Sequence, residues 1–286
     1  MRPANMVTAI ADVLAGIALS GFFGLWDFDL AHFLPVILLC ASTKLLYGGG
    51  VVFNDVFDAE LDKVERPERP ISSGLIKYKE AFLLGSILLL IGIVLAFLVN
   101  PLAGYLAIAI SISALVYNKW GKHQSFIGPI NMGLCRGLNL LLGVSIIPAA
   151  VYDGWYLGFV PIIYIASITM ISRGEVHGST SKPLLYGSFL YAVVILLIFY
   201  FGFINDELVM ALLFLTPFAW MIFTPLIKAI KQPSGPNIGK SVKAGVLALI
   251  IMDAAWVAAS GYFVAAIIVA LLLPISFWLA RMFAVT

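Results

Sequence analysis

Charge is scarce in this sequence. Charged residues make up 11% of its 286 positions and hydrophobic ones 62%, where a soluble domain carries roughly 25% charge. That shortage excludes a water-soluble globular enzyme. Cysteine is scarcer: the 2 present, Cys40 and Cys135, both sit inside apolar runs. A disulfide framework and a thiolate metal site with ligand spacing are therefore excluded. Net charge is only +2, which gives no reason to expect a nucleic-acid partner. No polar stretch reaches domain length, the longest being DAELDKVERPERPISSGLIKYK at 58–79. Asp12 interrupts the apolar run behind Arg2, so this run reads as a retained first helix and not as a signal peptide.

What the chain has is apolar length. A transmembrane helix needs about 20 mostly apolar residues, and hydropathy predicts spans near 6–25, 31–53, 80–99, 101–117, 127–148, 156–172, 184–203, 208–229, 241–258 and 262–280. The last pair also reads as one span plus a re-entrant piece, so the count is nine to ten. The fold class expected is all-α, a polytopic transmembrane helical bundle. Of the 17 Lys and Arg, Lys44 and Arg136 lie inside spans. All the others fall at the two termini or in loops 54–79, 118–126, 173–183 and 230–240 and their flanks, while the opposite loops carry acids alone: Asp27, Asp29, Asp153, Asp206 and Glu207. This asymmetry predicts a cytoplasmic N-terminus. We expect an integral membrane protein of a bacterial inner membrane, with its basic loops in the cytoplasm. The chain reads as one domain, 1–286. Polar connections after the second and sixth spans suggest four-helix halves, 1–125 and 126–235, followed by C-terminal helices.

The second span ends in NDVFDAELD, residues 54–62. Asn54, Asp58 and Asp62 are four apart, and each such step turns a helix by only about 40°, so the three share one side. Asp55 adds a further carboxylate. Hard oxygen donors crowded at a helix end suit magnesium, which takes one or two carboxylates and completes its shell with phosphate oxygens. Around them stand Lys63, Arg66 and Arg69, and on the same side Lys119, Lys122, Arg173 and Lys182. Acids with magnesium, ringed by bases, form a receptor for a diphosphate. The plainer alternative is a solvated, salt-bridged helix end.

These residues carry a resemblance. Asn54-Asp55-Val56-Phe57-Asp58-Ala59-Glu60-Leu61-Asp62 matches NDxxDxxxD, the first signature of the UbiA superfamily of intramembrane prenyltransferases, and Arg69-Pro70 with Ser73-Gly74 resembles its continuation. Arg2-Pro3, Asn5 and Tyr117-Asn118-Lys119 are similar to family features. The resemblance implies a bundle, usually of nine spans, with an active site opening to the cytoplasm. It implies Mg2+ held with the diphosphate by Asn54, Asp58 and Asp62, Asp55 within the motif, and Arg69 and Lys119 on phosphate oxygens. The second signature departs from the family: Ser172-Arg173-Gly174-Glu175-Val176-His177-Gly178 offers Glu175 as its only carboxylate. Glu175, with His177, is the candidate second metal position, and Arg173 the candidate replacement for a second ion. The run RGEVHG, with Cys135-Arg136-Gly137-Leu138-Asn139, resembles the EboC-type UbiA-like subgroup.

Polar groups inside spans are costly and often functional. Arg136 and Asn139, three apart, are candidates to line a substrate cavity. Asp12 and Asp253 are candidates to orient Lys44 or Arg136, with a buried structural ion pair as the alternative. Tyr47, seven residues before Asn54, is placed to face a substrate cation. Arg66, Tyr117 and Lys182 complete the candidate substrate contacts. Gly48-Gly49-Gly50 would permit close helix approach.

The expected function is Mg2+-dependent transfer of an isoprenyl group from a prenyl diphosphate to a small, aromatic acceptor within the membrane. The altered second signature motivates a different class, a non-catalytic or transport protein that binds an isoprenoid or polyprenyl lipid. A CDP-alcohol phosphotransferase is disfavoured because its DGxxAR…GxxxDxxxD pattern is absent. An ion-driven transporter without lipid substrate is a further alternative.

Overall fold

In hydrocarbon, backbone N–H and C=O groups have no water to bind, so a chain this apolar satisfies them within helices. A computed structural model of the chain shows this architecture, and it describes residues 3–25, 30–124, 127–175, 178 and 180–282. In order the helices are α1 (Pro3–Leu19), α2 (Leu30–Phe57), the short α3 (Ala59–Glu65), α4 (Tyr78–Val99), α5 (Pro101–Lys119), α6 (Ile127–Val144), α7 (Pro148–Gly154) and α8 (Phe159–Ser172). They continue with α9 (Ser181–Ile204), α10 (Leu208–Lys231), α11 (Gly235–Ala259), α12 (Phe263–Ala270) and α13 (Leu272–Met282).

Among the described residues, 9 segments are long and apolar enough to cross a membrane, with α7–α8 and α12–α13 each counted as one. The predicted last pass is helical over Phe263–Met282, with a break near Leu271. Helix α1 has 17 residues, about 25 Å at 1.5 Å per residue, short of a hydrocarbon core of roughly 30 Å. It takes a central place: α2, α6, α11 and α13 pack around it, and Ala4, Ala11, Ala15 and Ala18 on it are fully buried.

Small residues set the spacing at this centre. A Cβ at Gly16 would stand 2.1 Å from the Leu140 carbonyl oxygen, and one at Gly143 would stand 2.1 Å from the Val13 oxygen. Backbones of α1 and α6 touch there, which only glycine permits. The GlyGlyGly run has a narrower role than its length suggests. Gly49 alone is in close contact, its Cβ position 2.7 Å from Leu89 on α4, whereas Gly48 and Gly50 have ordinary clearance.

Buried side chains form two main clusters. One gathers α1, α2, α4 and α5 with part of α6; the other gathers α6 and α8 through α12 with the opposite side of α1. Outward, α4 exposes Leu83, Leu90 and Leu98, the surface a bilayer would cover.

Candidate functional site

The first cluster leaves a cavity of about 450 Å³ between α1, α2, α5 and α6. Its mouth is the end of α2. The helix breaks after Phe57, yet the Asp58 N–H donates to the Asn54 carbonyl at 3.0 Å and the Asp62 N–H to the Asp58 carbonyl at 2.8 Å. The four-residue register thus passes through the break, and the predicted alignment of Asn54, Asp58 and Asp62 persists into α3.

The loop after α3 folds back over these acids. Ser73 N–H donates to the Arg69 carbonyl at 2.8 Å and Ile76 N–H to that of Pro70 at 3.0 Å, while Gly74, at φ +77°, makes the turn. This fold swings Arg69 inward. Its Nη1 lies 2.8 Å from Asp62 Oδ2 and 3.1 Å from Asp55 Oδ1, and Asp62 is 4% exposed. From the other side, the 3-10 turn Gly121–His123 places the Lys122 ammonium against Asp58. Asn54 donates to Asn118 Oδ1 at 3.4 Å, and Asn118 donates to the Gly50 carbonyl at 2.7 Å, tying α2 to α5. Asn54, Asp55, Arg69, Tyr117 and Lys122 all line the cavity.

Below the mouth the wall turns apolar, with Leu46, Val51, Ile110, Ala114 and Met132. The inner end is polar again. Arg136 Nη1 donates to Asp12 Oδ2 at 2.6 Å and Nη2 to Thr8 Oγ1 at 2.6 Å. Asn139 donates to Asp12 Oδ2 at 3.0 Å and to the Ala9 carbonyl at 2.8 Å, and it accepts from the Thr43 hydroxyl at 2.5 Å. The Arg136 Cζ lies 5.9 Å from the centre of the Tyr47 ring. Asp12, one of the two acids considered for this role, is thus the partner of Arg136. Lys44 is exposed on α2 and makes no ion pair among the described residues.

Other candidate residues stand outside the cavity lining. Lys119 is exposed and lies over its neighbour Trp120, with Nζ 4.5 Å from the ring centre. The reason is that α5 ends at that residue, and the turn that follows carries Lys122 to the acids instead. Arg66, Arg173 and Lys182 are exposed. Glu175 packs beside Gly239 at the start of α11, its Oε1 3.3 Å from that residue's Cβ position, so the second polar loop is not drawn to the first acids. His177 lies outside the described residues. The sequence offered Lys122 only as one of several bases around the acids and Asn118 only as part of Tyr117-Asn118-Lys119; the structure singles both out, Lys122 on Asp58 and Asn118 on Asn54.

The acids at the mouth are held by bases, and among the described residues no three Asp, Glu, His or Cys side chains converge as a ready-made metal cage. Magnesium does not demand one, since it binds through one or two carboxylates together with substrate phosphates. Asp58 and Asp62, one turn apart with the Asn54 amide on the same side, fit that donor set. The same Arg69 and Lys122 that neutralise the acids can turn to a phosphate when an ion takes the carboxylates.

Comparison with known proteins gives a family match and structural neighbours. The model of the UbiA prenyltransferase family matches residues 13–229. Among relatives, a digeranylgeranylglyceryl phosphate synthase of Methanococcoides burtonii is 40% identical over 109 residues, 38% of this chain and 39% of that protein. The matched part of the chain thus spans about two fifths of that relative's length. Among solved structures, a UbiA homologue from Aeropyrum pernix K1 superposes with a TM-score of 0.70 at 17% identity, covering 89% of this chain and 98% of that one. A UbiA homologue from Archaeoglobus fulgidus, bound to GPP and Mg2+, gives 0.59 at 14% identity, covering 85% and 99%. At these identities the structural likeness establishes the fold.

Proposed function

The chain belongs to the UbiA prenyltransferase family, and from that premise we propose that it transfers an isoprenyl group from a prenyl diphosphate to a small acceptor inside the membrane. The observation that carries this reading is one continuous cavity with a diphosphate-type mouth and an apolar throat. Asn54, Asp58 and Asp62 would hold Mg2+, which supplies neutralising charge to the diphosphate. The GPP and Mg2+ of the A. fulgidus homologue support this assignment.

The chain's own residues then have distinct tasks. Arg69 and Lys122 bind phosphate oxygens and stabilise the charge that grows on them as the allylic C–O bond breaks with its electron pair. Leu46, Val51, Ile110 and Met132 enclose the isoprenyl tail and keep water from the allylic cation. The acceptor's nucleophilic atom forms the new bond to that carbon and loses its proton. Asp55 holds Arg69 in place. Arg173 and Lys182 are exposed and Glu175 lies beside Gly239, so no task at the diphosphate is given to them.

The aromatic acceptor expected from the sequence has a rival. The M. burtonii relative's name denotes a glyceryl phosphate product, which supports an alcohol acceptor. We place the site on the cytoplasmic side, as the basic loops indicate. Asp58→Asn and Asp62→Asn should each lower prenylated product by roughly a hundredfold, the scale of losing one transition-state charge contact. Unchanged turnover in both variants would refute the assignment. Donor binding without diphosphate release, in any acceptor mixture, would favour a carrier of isoprenoid lipid instead.

A further inference from the structure

Ion pairs are confined to the first half of the chain. Among the described residues they join Lys63 to Glu60, Arg69 to Asp55 and Asp62, Lys122 to Asp58, and Arg136 to Asp12. From Leu208 onward the sequence carries five bases, Lys228, Lys231, Lys240, Lys243 and Arg281, with Asp253 as its one acid. Asp253 follows Lys240 by 13 positions on α11, about 20 Å at 1.5 Å per residue. It cannot balance the lysines at the other end of that helix.

Two of those lysines face one small space. A pocket of about 160 Å³ between α10 and α11 is lined by Thr224, Pro225, Lys228, Asn237 and Lys240. Thr224 and Lys228, four apart, share a side of α10. Asn237 Nδ2 donates to the Gln232 carbonyl at 3.0 Å, which ties the start of α11 to the end of α10. Neither Lys228 nor Lys240 forms an ion pair among the described residues, and Glu175, beside Gly239, pairs with neither. Lysines on a loose loop could turn away from each other into water. Here both stand inside helices that pack on one another, so two ammonium groups are held to one pocket. They repel, and an anion between them turns repulsion into attraction.

The surroundings decide which anion. Leu213, Trp220 and Ile227, seven apart on α10, are 56%, 71% and 49% exposed. They form an apolar stripe that ends beside Lys228. Helix α11 is exposed only at Pro236, Lys240 and Lys243 and withdraws into the bundle beyond them. A fitting ligand therefore offers a phosphate to the pocket and hydrocarbon to the stripe. A free phosphate would use the first feature and leave the second bare. A zwitterionic lipid would bring its own ammonium to a site that already holds two.

We propose that the pocket between α10 and α11 binds the headgroup phosphate of an anionic phospholipid of the cytoplasmic leaflet, with an acyl chain along Leu213, Trp220 and Ile227. Basic pockets between helices on that side are suited to such headgroups. The site shares no residue with the prenyl-transfer cavity and does not depend on that reading.

The test is native mass spectrometry of the purified full chain in detergent, titrated with phosphatidylglycerol or with phosphatidylcholine of the same acyl chains. The first phosphatidylglycerol should bind at least tenfold more tightly than the first phosphatidylcholine. Lys228→Gln with Lys240→Gln should weaken phosphatidylglycerol fivefold or more. Lys77→Gln with Lys79→Gln, the same loss of charge at the exposed start of α4, should weaken it less than twofold. Glycerophosphoglycerol, the headgroup without chains, should not displace the lipid at a hundredfold excess. Equal affinity of the two lipids for the wild-type chain would overturn the proposal. Equal effects of the two double variants would do so too, leaving diffuse surface charge as the cause. Displacement by glycerophosphoglycerol would overturn the lipid assignment in favour of a soluble phosphate ester.

Discussion

Asp62 and Arg69 show what a single residue contributes at this membrane edge. Asp62 is almost wholly buried and its partner Arg69 is 19% exposed, so the pair is neither a loose surface bridge nor a dry one. Removing one member leaves the other charged and poorly solvated. Arg69→Gln should therefore raise the donor KM at least tenfold and lower the thermal midpoint in detergent, whereas Arg66→Gln, at an exposed position, should shift KM less than twofold and leave the midpoint unchanged. Lys122→Met should cost about tenfold in kcat/KM, a charge-assisted contact of roughly 1.5 kcal/mol, and Lys119→Met less than twofold. Steady-state kinetics with the prenyl diphosphate as varied substrate decides between the two lysines. The pair also marks the limit of sequence reading at this scale. Arg69 could be read because it stands in a motif. The choice of Lys122 over Lys119 depends on where α5 ends and how one 3-10 turn redirects the chain, which no spacing rule states.

The crossing of α1 over α6 is the element on which the inner end depends. Arg136 and Asn139 meet Asp12 because Gly16 and Gly143 let the two backbones touch. An added methyl at Gly143 must displace a main-chain carbonyl, and overpacking of this kind costs about 1–3 kcal/mol or more. Gly143→Ala should lower the thermal midpoint of the detergent-solubilised protein, while Gly48→Ala, with 3.7 Å clearance to Met6, should leave it unchanged. Equal effects of the two would mean that the crossing is not the constraint described. Helices themselves were legible from apolar length: each predicted span has a helical counterpart, although α1, the first, is shorter than a membrane crossing needs. Partnerships between distant helices were legible only as alternatives, two acids against two bases, or not at all. Asp12 with Arg136, 124 positions apart, and the Gly16–Gly143 contact are products of packing that one sequence does not display.

Across the whole sequence, loops that carry Lys and Arg alternate with loops that carry acids alone. This asymmetry was readable without coordinates, because topology alternates and charge reports side. With Cys40 and Cys135 replaced by serine, Lys231→Cys should react with a membrane-impermeant maleimide only from the cytoplasmic side, and Asp153→Cys only from the opposite side. The same reagent pattern reversed would invert the orientation. The second half of the bundle was less legible. A polar loop after the sixth span suggested a second set of site residues, yet Glu175 is packed against α11 and Arg173 and Lys182 face outward. The cavity belongs to the first half of the chain, joined by α6. The central claim is that this cavity joins a diphosphate anchor to a prenyl-transfer chamber. Its most direct test is to measure, on one sample of purified wild-type protein with magnesium, the diphosphate released and the prenylated product formed. Equal molar amounts, both lost with EDTA, are the expected result; diphosphate without any prenylated product from acceptors of either class, or neither despite bound donor, would contradict prenyl transfer.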